Sequence, residues 1–113
     1  MNSLYFVTLF ALGAIIGMYL LALVLQGKET PKAVALIHGV FVVVALVLLI
    51  IYSSRNPGLA DSIVLFLIAA LGGLVLIIRD LLSKSIPKWL AVVHGLVAVT
   101  GFIFLLISAY TRS

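Results

Sequence analysis

His38 and His94 are the only histidines in this 113-residue sequence, and each stands in the same setting. The first closes the run Pro31-Lys32-Ala33-Val34-Ala35-Leu36-Ile37-His38-Gly39. The second closes Pro87-Lys88-Trp89-Leu90-Ala91-Val92-Val93-His94-Gly95. The offset is 56 residues, and the proline, lysine, alanine and glycine of the motif keep it. Each copy reads as a Pro-Lys helix start that carries its imidazole about 9 Å into an apolar helix, at about 1.5 Å per residue. An imidazole can ligate a metal or pass a proton. Inside so apolar a helix it needs a partner, which makes it a functional candidate by default. Two of them related by a repeat point to a shared partner.

The elements that must position these side chains are membrane spans. The sequence is 65% hydrophobic and 9% charged, which no water-soluble domain of this length matches. Helix one is expected from about Leu4 to Leu25, with Tyr5 at the interface and no charge inside. This run is too long for a signal h-region and lacks a basic n-region, so it reads as a retained span. Gln26 to Thr30 form a polar turn, and Pro31 opens helix two, which runs to about Tyr52. A breaker-rich turn from Ser53 to Gly58 follows. Helix three runs from about Leu59 or Asp61 to Leu82, and helix four from Pro87 to about Tyr110. Tight connections make an all-α, integral membrane, up-down-up-down four-helix bundle, a single transmembrane domain over residues 1–113.

Superimposing the halves with the 56-residue shift extends the identity beyond the histidine motif. Leu9/Leu65, Phe10/Phe66, Ala14/Ala70, Gly17/Gly73, Leu20/Leu76 and Lys28/Lys84 are among the matches. Apolar bias does not produce paired Pro, Lys, His and Gly, so the chain reads as a tandem repeat, about 4–55 and about 60–111. Two spans per repeat give both halves the same orientation. The pseudo-twofold axis then lies along the membrane normal, helices two and four sit diagonally, and the histidines share a depth. Lys28, Lys32, Arg79, Lys84 and Lys88 lie on the histidine side, against Arg55 and Arg112 on the other. That bias places the histidine-side turns in the cytoplasm and both termini outside, as in a bacterial inner membrane protein.

Small residues surround each histidine. Ala35 and Ala91 precede it by three, Gly39 and Gly95 follow it, and Ala45 and Gly101 lie seven beyond. Helices one and three add Gly13-x-x-x-Gly17 and Ala69-x-x-x-Gly73. These positions leave room for a flat object or allow close helix packing, and both readings stand. Zinc wants about four N, S or O ligands, and no Asp, Glu or Cys lies at this depth. Copper meets a similar shortage, with only the Met18 thioether one helix away. Haem iron needs two axial ligands, because the porphyrin supplies four nitrogens. One haem b between His38 and His94 is therefore the expected cofactor, with Lys28, Lys32, Lys84 and Lys88 near enough to the rim to neutralise its propionates. The same lysines are explained by topology alone.

With two histidines on alternate helices of one four-span bundle, the chain resembles the four-helix b-type membrane cytochromes. That resemblance implies haem ligation by His38 and His94 and a role in electron transfer. Larger members of that group carry two haems and more histidines, whereas this chain has ligands for one. The repeat also resembles small bacterial inner-membrane proteins. Bis-histidine ligation leaves no open iron position, so a quinone or another small redox partner is expected rather than oxygen binding.

Other classes fare worse. Small multidrug transporters couple protons through a carboxylate inside the first helix, and Glu29, Asp61 and Asp80 all sit at helix ends. The serines lie in turns or at helix ends with no acid-histidine arrangement, against a hydrolase or transferase. The net charge of +4 comes from residues at helix ends, not from a nucleic-acid surface. The absence of cysteine excludes disulfides, thiolate metal sites and Cys-x-x-Cys redox chemistry. The second reading is a structural or partner-binding bundle, alone, as a homo-oligomer or within a larger membrane complex. Its histidines would then be packing or proton-relay groups, bonded to each other, to Thr100, to Tyr19 or to a backbone carbonyl.

Overall fold

The structure is a computed structural model that describes residues 3–55 and 58–111. Four helices follow one another: α1 (Ser3–Leu25), α2 (Lys32–Ser53), α3 (Ala60–Leu81) and α4 (Lys88–Thr111). Each is long and apolar enough to cross a membrane. They form an antiparallel bundle 42 × 22 × 19 Å in extent. Each helix packs against its sequence neighbour, α1 also against α4 and α2 against α3, so α2 and α4 lie on one diagonal. Most Leu, Ile and Val side chains point outward, as at Ile15, Val40, Leu71 and Leu96. That outer surface is compatible with lipid and not with water. Asn56 and Pro57 of the second turn, and Arg112, lie outside the described residues.

Helix ends match the expected ones to within a residue or so, because breakers punctuate apolar runs of membrane length. One detail differs. Pro31 does not open α2 from inside but caps it in extended conformation, at φ −62° and ψ 124°. Its carbonyl accepts the first helical bond from the Ala35 N–H at 3.1 Å, and Pro87 does the same for Ala91 at 3.1 Å. Proline's fixed φ suits this position, and its missing N–H leaves no ladder bond unmade.

The other ends of the histidine-side turns are equally matched. Lys28 N–H bonds to Leu23 O at 2.9 Å and Gly27 N–H to Val24 O at 3.1 Å. One repeat later Lys84 bonds to Arg79 at 2.8 Å and Ser83 to Asp80 at 3.0 Å. Both are Schellman closures, which require a left-handed residue just past the helix. Gly27 provides it at φ 71°, and Ser83 must adopt φ 57° with a Cβ in the way. Left-handed backbone costs a non-glycine residue about 1–2 kcal/mol. Ser83→Gly is therefore expected to stabilise the protein by about 1 kcal/mol, and Gly27→Ser to destabilise it similarly, in equilibrium unfolding in mild detergent followed by helical circular dichroism.

The core is arranged in layers along the axis. Leu49 and Leu105, repeat mates, are both fully buried. Phe10 and Phe66, also mates, stack with centroids 4.2 Å apart and planes 6° from parallel, and Ala45 joins the same core. Symmetry fails at Phe6 and Ser62, which share a repeat position and are 0% and 1% exposed. Phe6 belongs to the core cluster and packs against Tyr52, ring centroids 5.0 Å apart, whereas its repeat mate is a small polar residue. The Ser62 hydroxyl has no hydrogen-bond partner among the described residues. An unmet buried hydroxyl costs about 1–3 kcal/mol. Ser62→Ala is thus expected to leave the unfolding midpoint unchanged or raise it, and a clear drop in the same assay would show that the hydroxyl has a partner.

Candidate functional site

His38 and His94 stand one layer inward from the stacked Phe10 and Phe66, on α2 and α4. The first helix of each repeat holds the imidazole of the second. His38 Nδ1 donates to Gly13 O at 2.8 Å, and His94 Nδ1 donates to Ala69 O at 2.7 Å. Gly13 and Ala69 are themselves repeat mates, so the two bonds are one device used twice. A carbonyl oxygen only accepts, so the proton of each neutral ring is assigned to Nδ1 and the lone pair to Nε2. The two rings face each other across the bundle axis with centroids 6.4 Å apart and planes 87° from parallel. Neither hydrogen-bonds to the other, and Thr100 bonds instead to Leu96 O in its own helix at 2.8 Å. Met18 and Tyr19 are exposed on the outer surface.

The glycines of α1 and α3 make this approach feasible. A Cβ built on Gly17 would lie 2.9 Å from His38 Cε1, and one on Gly73 would lie 3.0 Å from His94 Cε1. The first is closer than real Cβ atoms come and the second is tighter than nine in ten real contacts, so these positions seat the rings. Gly72, absent from the repeat pattern, also lies beside His94, where an added Cβ would make ordinary contact with the His94 Cβ at 3.6 Å. Gly13 lies against Val42, where a Cβ would come within 2.7 Å of Cγ1. Its repeat counterparts are Ala69 and Ala98, so bulk gained on α3 is lost on α4.

The other small residues are divided. Gly39 faces Ile77 of α3 and Gly95 faces Leu21 of α1, again a symmetric pair of contacts between repeats. Ala45 and Gly101 belong to the core beside the phenylalanines, with Gly101 against Leu65 and Phe66. Ala91 is buried and Ala35 half-buried, one turn from each histidine toward the loops. Among the described residues no three His, Cys, Asp or Glu side chains gather into a metal-binding group.

Sequence reasoning offered a backbone carbonyl as one possible partner but did not say which, although a signal existed. The separation of 25 residues between Gly13 and His38 recurs between Ala69 and His94. It also missed a polar contact at the loop end of the bundle, where Thr30 Oγ1 donates to Asp80 Oδ1 at 2.9 Å. Thr30 is 9% exposed, and Asp80 Oδ2 is buried without a hydrogen-bond partner among the described residues. Asp80 replaces the apolar Val24 of the first repeat, so no repeat identity marks it. No protein family, curated protein or solved structure matches the chain.

Proposed function

We propose that this chain is a small membrane haem protein of b type, in which His38 and His94 would hold one haem and electron transfer is its work. The observation that carries the reading is the pair of imidazoles, each with Nδ1 tied to a carbonyl and Nε2 without a hydrogen bond among the described residues, at a centroid separation of 6.4 Å. Two imidazoles bonded to one metal ion at about 2 Å put their centroids about 5 to 6 Å apart, depending on the angle between the bonds. Two imidazoles with no third ligating side chain beside them among the described residues suit a metal that would bring its own nitrogens, and fall short for an ion that needs four protein ligands. Bound there, haem would supply one-electron redox chemistry.

The chain's residues would do the rest. Gly13 O and Ala69 O hold the Nδ1 protons, which fixes each ring's orientation and makes Nε2 more basic. The stacked Phe10 and Phe66 close the bundle on the terminal side, and Leu21 and Ile77 pack across the repeats on the loop side. Gly17 and Gly73 offer a macrocycle no slot, because the imidazoles occupy them. Room for it must come from the seam between the repeats, where the helices meet less closely than within each repeat. The excess of basic residues on the histidine side supports cytoplasmic turns and external termini in a bacterial inner membrane, with a quinone or similar small molecule as redox partner.

The filled glycines favour a second reading, in which the imidazoles are polar hooks that lock α1 to α2 and α3 to α4. One experiment separates the two. The protein is purified in detergent from haem-replete cells and its absorption recorded oxidised and dithionite-reduced. The haem reading expects a six-coordinate b-type spectrum at one haem per chain. A colourless protein that also fails to take up added haemin leaves the structural reading.

A further inference from the structure

The loop end of the bundle holds a polar cavity of about 360 Å³ that no histidine reaches. Lys28, Lys32, Lys84 and Lys88 line it together with Thr30 and Asp80. The lysines form two repeat-related pairs, 28 with 84 and 32 with 88, so the wall carries the bundle's pseudo-twofold symmetry. Their placement follows from the backbone. Lys28 and Lys84 close the two Schellman motifs, and Lys32 and Lys88 are the first residues of α2 and α4. Glu29 and Asp80 are the carboxylates of the lining, so cations outnumber anions two to one. Asp80 is tied to Thr30, and Val24 contributes an apolar wall.

We infer that this cavity binds the headgroup of a doubly anionic phospholipid, one phosphate to the two lysines of each repeat, Lys28 with Lys32 and Lys84 with Lys88. Three observations support that occupant over others. Helices of 22 to 24 residues span about 33 Å, close to the hydrocarbon thickness, so their loop ends lie at headgroup depth. The four lysines converge on one concavity between the repeats, whereas lysines that only set topology need share no pocket. Leu25, Leu81, Leu82 and Trp89 are exposed at the same ends of their helices, where acyl chains would lie against them. The site is independent of any metal at the histidines and stands without one.

The test is native mass spectrometry of delipidated protein titrated separately with tetraoleoyl cardiolipin, dioleoyl phosphatidylglycerol and inorganic phosphate. One cardiolipin per chain is expected to be retained, phosphatidylglycerol to bind at least tenfold more weakly, and phosphate not to compete. At about 1 kcal/mol per lysine, the Lys28→Gln/Lys84→Gln variant should bind cardiolipin about thirtyfold more weakly. Lys28→Arg/Lys84→Arg should keep the binding, which guards against a folding artefact. Equal binding of the two lipids at matched phosphate, competition by inorganic phosphate, or full affinity in the glutamine variant overturns the proposal. So does one-for-one displacement of the lipid by haemin, which would give the cavity to propionates.

Discussion

If the proposed haem is held by both histidines, protein carrying His38→Ala or His94→Ala is expected to emerge from haem-replete cells without the six-coordinate b-type spectrum expected of the parent, and to bind added haemin more than about 100-fold more weakly. The magnitude has a simple floor. Removing a hydrogen bond that merely supports a ligating histidine lowers metal affinity by about 10–100-fold, so removing the ligand itself must do more. Both variants should behave alike, because the repeat gives each imidazole the same carbonyl partner and the same glycine seat. Helical circular dichroism on each variant separates lost ligation from lost folding. If both variants keep a full complement of haem with an unchanged spectrum, neither histidine is an axial ligand and the proposed function fails.

The second large effect is expected at the seats. Gly17→Val and Gly73→Val should each destabilise the bundle by about 2–4 kcal/mol in detergent unfolding. Overpacking a filled position costs about 1–3 kcal/mol, and displacing the ring removes an interhelical hydrogen bond of about 1 kcal/mol. Gly17→Ala should cost less but couple to the histidine: in the double variant with His38→Ala the new methyl group enters space the ring has left. A double-mutant cycle should therefore return a favourable coupling of about 1 kcal/mol or more. No coupling, together with a silent Gly17→Ala, would mean that the ring does not rest on Gly17. This outcome bears on the haem and the structural readings alike, since both need the seat.

Much of this architecture is legible in one dimension. Apolar runs of membrane length, interrupted by proline, glycine and polar turns, mark four helices and their ends, because the bilayer demands that length and breakers cannot continue a ladder. The 56-residue repeat relates α1 to α3 and α2 to α4, and two spans per repeat orient the axis along the membrane normal. His38 and His94 stand out by type, as polar groups in otherwise apolar spans.

The small residues near them were harder to interpret. Gly17 and Gly73 are visibly missing a side chain, but the chain order does not say what fills the gap. The stagger of α1 against α2 brings an imidazole there, and brings Gly13 O rather than another carbonyl to its Nδ1. Proline as a cap rather than a first helical residue is a shift of one position that only backbone geometry records.

Where the repeats diverge, only the folded bundle explains the residues. Phe6 and Ser62 look like an unrelated exchange until both prove buried, Phe6 against the Tyr52 ring. Asp80 looks like an ordinary helix-end carboxylate until Thr30, 50 residues away, bonds to it across the loop end. The sequence by itself determines the number of spans, their ends, the duplication and the two imidazoles, because each depends on local hydropathy, chain punctuation or identity at a constant offset. Tertiary structure alone decides which atoms the imidazoles meet, which glycines are filled and which lysines share a cavity, because those depend on the axial stagger and rotation of helices packed side by side.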